Sequence, residues 1–210
     1  AHLFEHLMFE GSAHHDSGFF EPLQKAGGAL NGSTNCDRTN YWEVVPAEAL
    51  ELALWLESDR MGHLLPALTQ EKLDNQRDVV INERRQRYEN RPYGMVSMAL
   101  MAALFPPAHP YHWTTIGETA DLRAATLDDA RDFFERYYHP ANASLPVAGD
   151  IAPAATLALA QRYLAPLPTA AEIARALYTN TPRERLGQAT DNIEKVLLKL
   201  WREGLSLIHI

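Results

Sequence analysis

Apolar positions recur at helical spacing from the first residues onward. In "AHLFEHLMFE" (1–10), Leu3, Phe4, Leu7 and Met8 return every three or four places, which predicts a buried helix. "GSAHHDSG" (11–18) is turn-rich, and "FFEPLQKAGG" (19–28) reads as a short helix closed by Gly27 and Gly28. The period then changes. "ALNGSTNCDRTNYWEVVP" (29–46) holds two strand-like pieces, the second rich in aromatic and β-branched residues. Pro46 opens a long amphipathic helix on which Leu50, Leu54, Met61 and Leu65 mark the apolar side. A second long helix is predicted over 69–90, capped by Thr69 and stopped by Arg91-Pro92. Further along, 94–105 reads as a mostly buried helix and 106–118 as a loop. A capped helix over 126–140 ends at His139-Pro140. A strand is expected at 143–151, although Pro146 lacks the donor a strand interior needs, and a helix at 153–168. Beyond Ala170 the chain turns more charged, with helical pieces at 171–178 and 190–203.

Helices outnumber strands, and the strands do not alternate with them. That predicts an α+β fold, a mostly antiparallel sheet packed against several helices, over a doubly wound parallel sheet. The 210 residues are 46% hydrophobic and 22% charged, ordinary globular composition for one domain or slightly more. The net charge of -8 argues against a nucleic-acid partner, because phosphate contacts need a lysine and arginine excess. One cysteine, Cys36, excludes an internal disulfide framework. No apolar run is long enough to span a membrane. The compartment stays open, since no targeting segment is legible. The chain begins at Ala1, almost inside its most chemically loaded segment, and reads as cut there; "WREGLSLIHI" ends an apolar run without a stop signal and reads as an interrupted or non-native tail.

That first segment carries the chemistry. His2 and His6 are four residues apart, so on a helix their imidazoles share one face and can hold one zinc ion. Glu5 borders the same face, within reach of a water on the metal. The string His2-Leu3-Phe4-Glu5-His6 is H-x-x-E-H, the reverse of the H-E-x-x-H zinc-protease motif. Catalytic zinc takes three protein ligands plus water, so a third ligand is expected downstream. The competing reading is a pair of solvated histidines near a helix end.

Four blocks in order, "AHLFEHLMFEGS", "GGALNGSTNCDRTNYWEVVP", "VVINERRQRYENRPYG" and "YYHPANASLPVAGDI", resemble the pitrilysin or insulinase family of M16 zinc metallopeptidases along 1–165. The resemblance implies a zinc-dependent endopeptidase with one Zn2+ per chain, held by His2, His6 and Glu83, and Glu5 as general base. Where the family often has a further glutamate, this chain has Gln76, which can still hydrogen-bond a ligand but supplies no charge. The matching edge-strand segment contains Ala29, Leu30 and Asn31, where a peptide or unfolded polypeptide would add as a strand. Asn31 equally fits a hairpin turn, since Asn-Gly is a strong turn signal.

The resemblance also implies a zinc-binding peptidase domain over 1–168, lacking its first strands, followed by a linker and the start of another segment at 169–210. Family members close a chamber from two similar halves. The companion half would lie in the same full-length chain or in a partner subunit, and this half alone would be weakly active or inactive. A non-catalytic family member and a peptide-binding half are the alternatives. Among the remaining features, His14, His15 and Asp16 form a rival metal cluster in a turn, and Arg84, Arg85, Arg87 and Arg91 suggest a solvated, salt-bridged face. Phe19, Phe20, Tyr41 and Trp42 are expected in the core, and His109 and His112 show no chemically useful spacing.

Overall fold

The computed structural model describes residues 1–167. The helical pieces expected at 171–178 and 190–203, and the 168/169 boundary, lie outside them. Among the described residues the chain forms two compact units, one of 1–81 and 118–167, the other of 82–117.

The first unit begins with helix α1 (His2–Leu7), whose Phe4 and Leu7 are buried together with Met8 just beyond it. These three join Leu64, Leu68, Leu73, Ala130 and Phe134 in one apolar cluster. Full burial of each such side chain stabilises by about 1.5–3 kcal/mol, so this cluster fixes α1 despite its six residues. Helix α2 (Phe20–Lys25) ends at Gly27, whose φ of +83° is the left-handed conformation expected of a terminating glycine. Strands β1 (Ala29–Thr34) and β2 (Thr39–Val44) pair antiparallel, with Asn31 opposite Trp42 and Thr34 opposite Thr39. The turn falls at Asn35–Arg38: Asn35 N donates to Arg38 O at 2.9 Å, and Asn35 Oδ1 accepts from the backbone N–H groups of Asp37 and Arg38. Asn31-Gly32 therefore lies inside a strand, and its turn reading is overturned. The sheet has two strands among the described residues, smaller than the one expected.

Helix α3 (Leu50–His63) stops two residues short of Leu65. It buries Ala53, Leu54 and Leu56, and also Ser58, Asp59 and Arg60. An amphipathic reading puts Arg60 in water; here it is 1% exposed. Its guanidinium stacks over Phe19 (3.7 Å to the centroid) and Tyr41 (4.3 Å), while Nε donates to Glu57 at 2.9 Å. Aromatic faces and a carboxylate replace solvent around the cation. Phe20 and Trp42, by contrast, are exposed, correcting their assignment to the core.

Helix α4 (Gln70–Arg84) starts where Thr69 Oγ1 accepts from Lys72 N, as the cap predicted, and carries the chain into the second unit. Back in the first unit, α6 (Thr119–Ala124) falls in a stretch assigned no element from sequence. α7 (Leu127–Tyr137) opens with a capping box in which Thr126 and Asp129 bond each other's backbone N–H. α8 (Pro153–Leu164) starts at the predicted residue and ends at Leu164, short of the expected 168. Residues 143–151 form no strand, correcting that expectation. Their main chain finds no partner strand among the described residues, and Pro146 cannot donate.

The second unit carries α5 (Val96–Leu104), apolar but with only Met98 buried; Met95, Val96 and Leu100 are exposed, against the expected burial. Arg84 departs from the solvated face: it is 6% exposed, with Nε on Glu89 Oε1 at 2.9 Å and Nη1 on Gly117 O at 2.5 Å. His109 and His112 brace their own loop, His109 Nδ1 accepting from Tyr111 N and His112 Nδ1 donating to Phe105 O at 2.7 Å. No helix of the described residues is long and apolar enough to cross a membrane.

Candidate metal centre

Burying Phe4 and Leu7 leaves the other side of α1 to its polar residues. His2 and His6 are half-buried one turn apart, ring centroids separated by 4.8 Å. Glu83 sits in the last turn of α4, half-buried, with Oε1 accepting from Arg87 Nη1 at 2.8 Å. One donor atom each of His2, His6 and Glu83 lies within 4.8 Å of the others. Donors about 2.1 Å from a tetrahedral zinc stand about 3.4 Å apart. Two imidazole nitrogens and one carboxylate oxygen gathered this closely form an N2O set that suits zinc.

Gln76 is placed to orient one ligand. Its Nε2 donates to Glu10 Oε1, which can only accept, and its Oε1 therefore faces His6 Nδ1 at 3.1 Å. With Gln76 Oε1 as its partner, His6 donates through Nδ1, which leaves Nε2 as the ring nitrogen with a lone pair to offer a cation. Gln76 thus fills the expected position with a hydrogen bond instead of a charge.

Glu5 is 7% exposed, and the hairpin holds it. Alternation along β1 turns Leu30, Gly32 and Thr34 inward and Ala29, Asn31 and Ser33 outward. Thr34 Oγ1 donates to Glu5 Oε2 at 2.5 Å and lies 3.0 Å from Thr39 Oγ1. A Cβ at Gly32 would stand 3.0 Å from Glu5 Oε1 and 3.2 Å from the Phe9 ring, so glycine gives the carboxylate its room. Behind Thr39, the hydroxyls of Tyr41 and Tyr138 bond at 2.7 Å. Burial pushes both phenols above their ordinary range, Tyr41 well above, so they stay protonated. Glu5 therefore ends a chain of hydroxyls, with one oxygen anchored.

Of the strand residues, Ala29 and Asn31 are exposed, whereas Leu30 turns its side chain into the apolar cluster of Phe19, Leu23, Ala53 and Leu56. Leu30 thus offers a ligand its backbone alone. Asn31 Oδ1 accepts from Gly32 N at 2.8 Å. The edge of β1 away from β2 has no strand partner among the described residues.

The trio His14, His15 and Asp16 does not converge. His15 Nε2 faces Gly18 O and Ser17 Oγ, and Asp16 pairs with Lys72. His14 instead meets Asp59 and His63, one donor atom of each lying within 4.8 Å of the others. Sequence reasoning missed this group. Its one local signal was the four-residue spacing of Asp59 and His63 on α3.

A helix-rich α+β chain with an H-x-x-E-H helix and a downstream glutamate within 4.8 Å defines a class, the H-x-x-E-H metallopeptidases. The family profile "Insulinase (Peptidase family M16)" matches residues 1–110, and "Peptidase M16 inactive domain" matches 124–205. The chain belongs to peptidase family M16. It is 37% identical over 152 residues to the zinc protease PqqE of Helicobacter pylori, covering 72% of this chain and 34% of that protein. The crystal structure of a protease from Helicobacter pylori superposes with TM-score 0.76 at 33% identity, covering 82% of this chain and 41% of that one. The first half of the periplasmic protease PqqL from Escherichia coli superposes with TM-score 0.70 at 25% identity, over 82% and 38%. The chain spans about a third of the length of the curated relatives it matches.

Proposed function

We propose that this chain is the zinc-binding half of a zinc-dependent endopeptidase, with His2, His6 and Glu83 as metal ligands and Glu5 as general base. The observation that carries the reading is the approach of those three donors within 4.8 Å, beside a buried Glu5 anchored by Thr34. All four residues fall in the segment matched by the Insulinase profile, and none in that matched by the inactive-domain profile. This favours the catalytic reading over a non-catalytic subunit.

Zinc bound there would supply Lewis acidity, polarising the scissile carbonyl and acidifying a water towards a pKa of about 7. Glu5 takes the proton of the attacking water on Oε1 and delivers it to the leaving amine, while Oε2 stays fixed by Thr34. Gln76 holds the His6 ring so that Nε2 is the ligating atom. The outer edge of β1 receives an extended peptide through the main chain of Ala29, Leu30 and Asn31, with the Asn31 amide reaching a substrate carbonyl. Residues 1–168 form this half, and a companion half, in the same full-length chain or in a partner subunit, completes the substrate chamber.

The test compares wild type, Glu5→Gln and Glu83→Ala in the full-length protein with its companion half. Glu83→Ala loses zinc. Glu5→Gln keeps zinc and loses about 10²–10⁴-fold in peptide hydrolysis. Equal zinc in all three would defeat the assignment.

A further inference from the structure

Loop 11–18, which follows α1, is tied to α3 by an unusually dense set of contacts. Asp59, 3% exposed, accepts from Ser12 Oγ at 2.5 Å and from His14 N at 3.3 Å through Oδ2, while Oδ1 meets His14 Nδ1 at 2.5 Å. Ala13 N donates to His63 O at 2.9 Å. These bonds account for Ser12 and for one face of His14. They do not account for the His63 ring, which meets His14 edge-on with centroids 4.7 Å apart. Both imidazoles face solvent, and the carboxylate below them is buried.

We propose that His14, Asp59 and His63 form a second metal site, for a divalent transition ion of the zinc class, that clasps loop 11–18 to the C-terminal end of α3. Two imidazoles and one carboxylate within 4.8 Å select such an ion over magnesium or calcium, which prefer all-oxygen shells. A cation held by His14 and Asp59 takes the place of the hydrogen bond that now joins His14 Nδ1 to Asp59 Oδ1. Exposure of both histidines leaves the remaining coordination positions to water. The cluster's carboxylate serves as a ligand, so the ion cross-links residues 45 and 49 positions apart instead of acting on a substrate. Binding the folded state alone, it stabilises that state by mass action.

Equilibrium dialysis of the purified chain against micromolar free zinc, with elemental analysis, tests this. Wild type takes up two ions, the His14→Ala/His63→Ala double variant one, and Glu83→Ala one. Both substituted histidines are exposed, so the double variant folds, which circular dichroism checks. Zinc raises the melting temperature of Glu83→Ala and leaves the combined triple variant unmoved. Equal zinc counts in wild type and the double variant, or equal melting shifts in Glu83→Ala and the triple variant, overturn the clasp. Retention of two ions by Glu83→Ala would instead count against the proposed catalytic ligands, so the two failures are distinguishable.

Discussion

The chain brings two histidines and a carboxylate together twice, and the two clusters differ in what surrounds them. His2, His6 and Glu83 lie beside a buried Glu5, held by Thr34 and given space by Gly32, next to the open edge of β1. His14, Asp59 and His63 lie at a loop, and their buried acid is itself one of the donors. Donor atoms alone do not make a catalytic centre. A spare carboxylate anchored by Thr34, and an open strand edge beside it, are what the first cluster has and the second lacks.

The largest effect that sharpens this contrast is the loss of hydrolysis in Glu5→Gln, described above. Smaller, and specific to the first cluster, is Gln76→Ala. Freed from its bond to Gln76 Oε1, the His6 ring is no longer held, and zinc binding at that cluster weakens about 10–100-fold. Uptake attributable to His14 and His63 stays unchanged, which competition dialysis in the two backgrounds measures. Equal weakening of both sites would break the separation.

The third variant concerns a half-buried carboxylate outside both clusters, Glu43. Burial first, then the negative charge of Glu57 and a hydrogen bond with it, push the Glu43 carboxyl from 4.5 up to about 8, against the pull of Arg60. The folded chain holds this proton where the unfolded chain has released it. Stability from this group is therefore present below about pH 4.5 and lost as pH rises through about 8. Glu43→Gln should flatten that slope and leave the variant more stable than wild type at pH 9, by up to a few kcal/mol. Chemical denaturation across pH 5–9 measures it; parallel curves for the two proteins would refute the buried-acid account.

How much was legible beforehand follows from how local each signal is. The i, i+4 pair of His2 and His6 specifies a shared helix face whatever packs around it, and Thr69 and Thr126 announce their helices through single caps. Glu83 was reached through resemblance, because no local rule connects it to residues some eighty positions earlier. The second cluster needed a loop folded onto α3, and its two parts read separately as a turn and a helix end. Arg60 was illegible for a related reason: the aromatic rings that shelter it come from three separate stretches, Phe9, Phe19 and Tyr41. Residues 143–151 failed differently. Strand composition promises a strand only if a neighbouring strand exists to take its hydrogen bonds, and composition carries no information about the neighbour. Helix α5 likewise shows that an apolar segment need not be a buried one.

On the proposed reading, α1 and the last turn of α4 share one ion. Anomalous X-ray scattering at the zinc edge, on crystals of the zinc-loaded chain, tests it most directly. A peak is expected about 2.0–2.2 Å from a nitrogen of His2, from Nε2 of His6 and from a carboxylate oxygen of Glu83. Bound zinc with no peak at that position, and Glu83 still turned to Arg87, would contradict it.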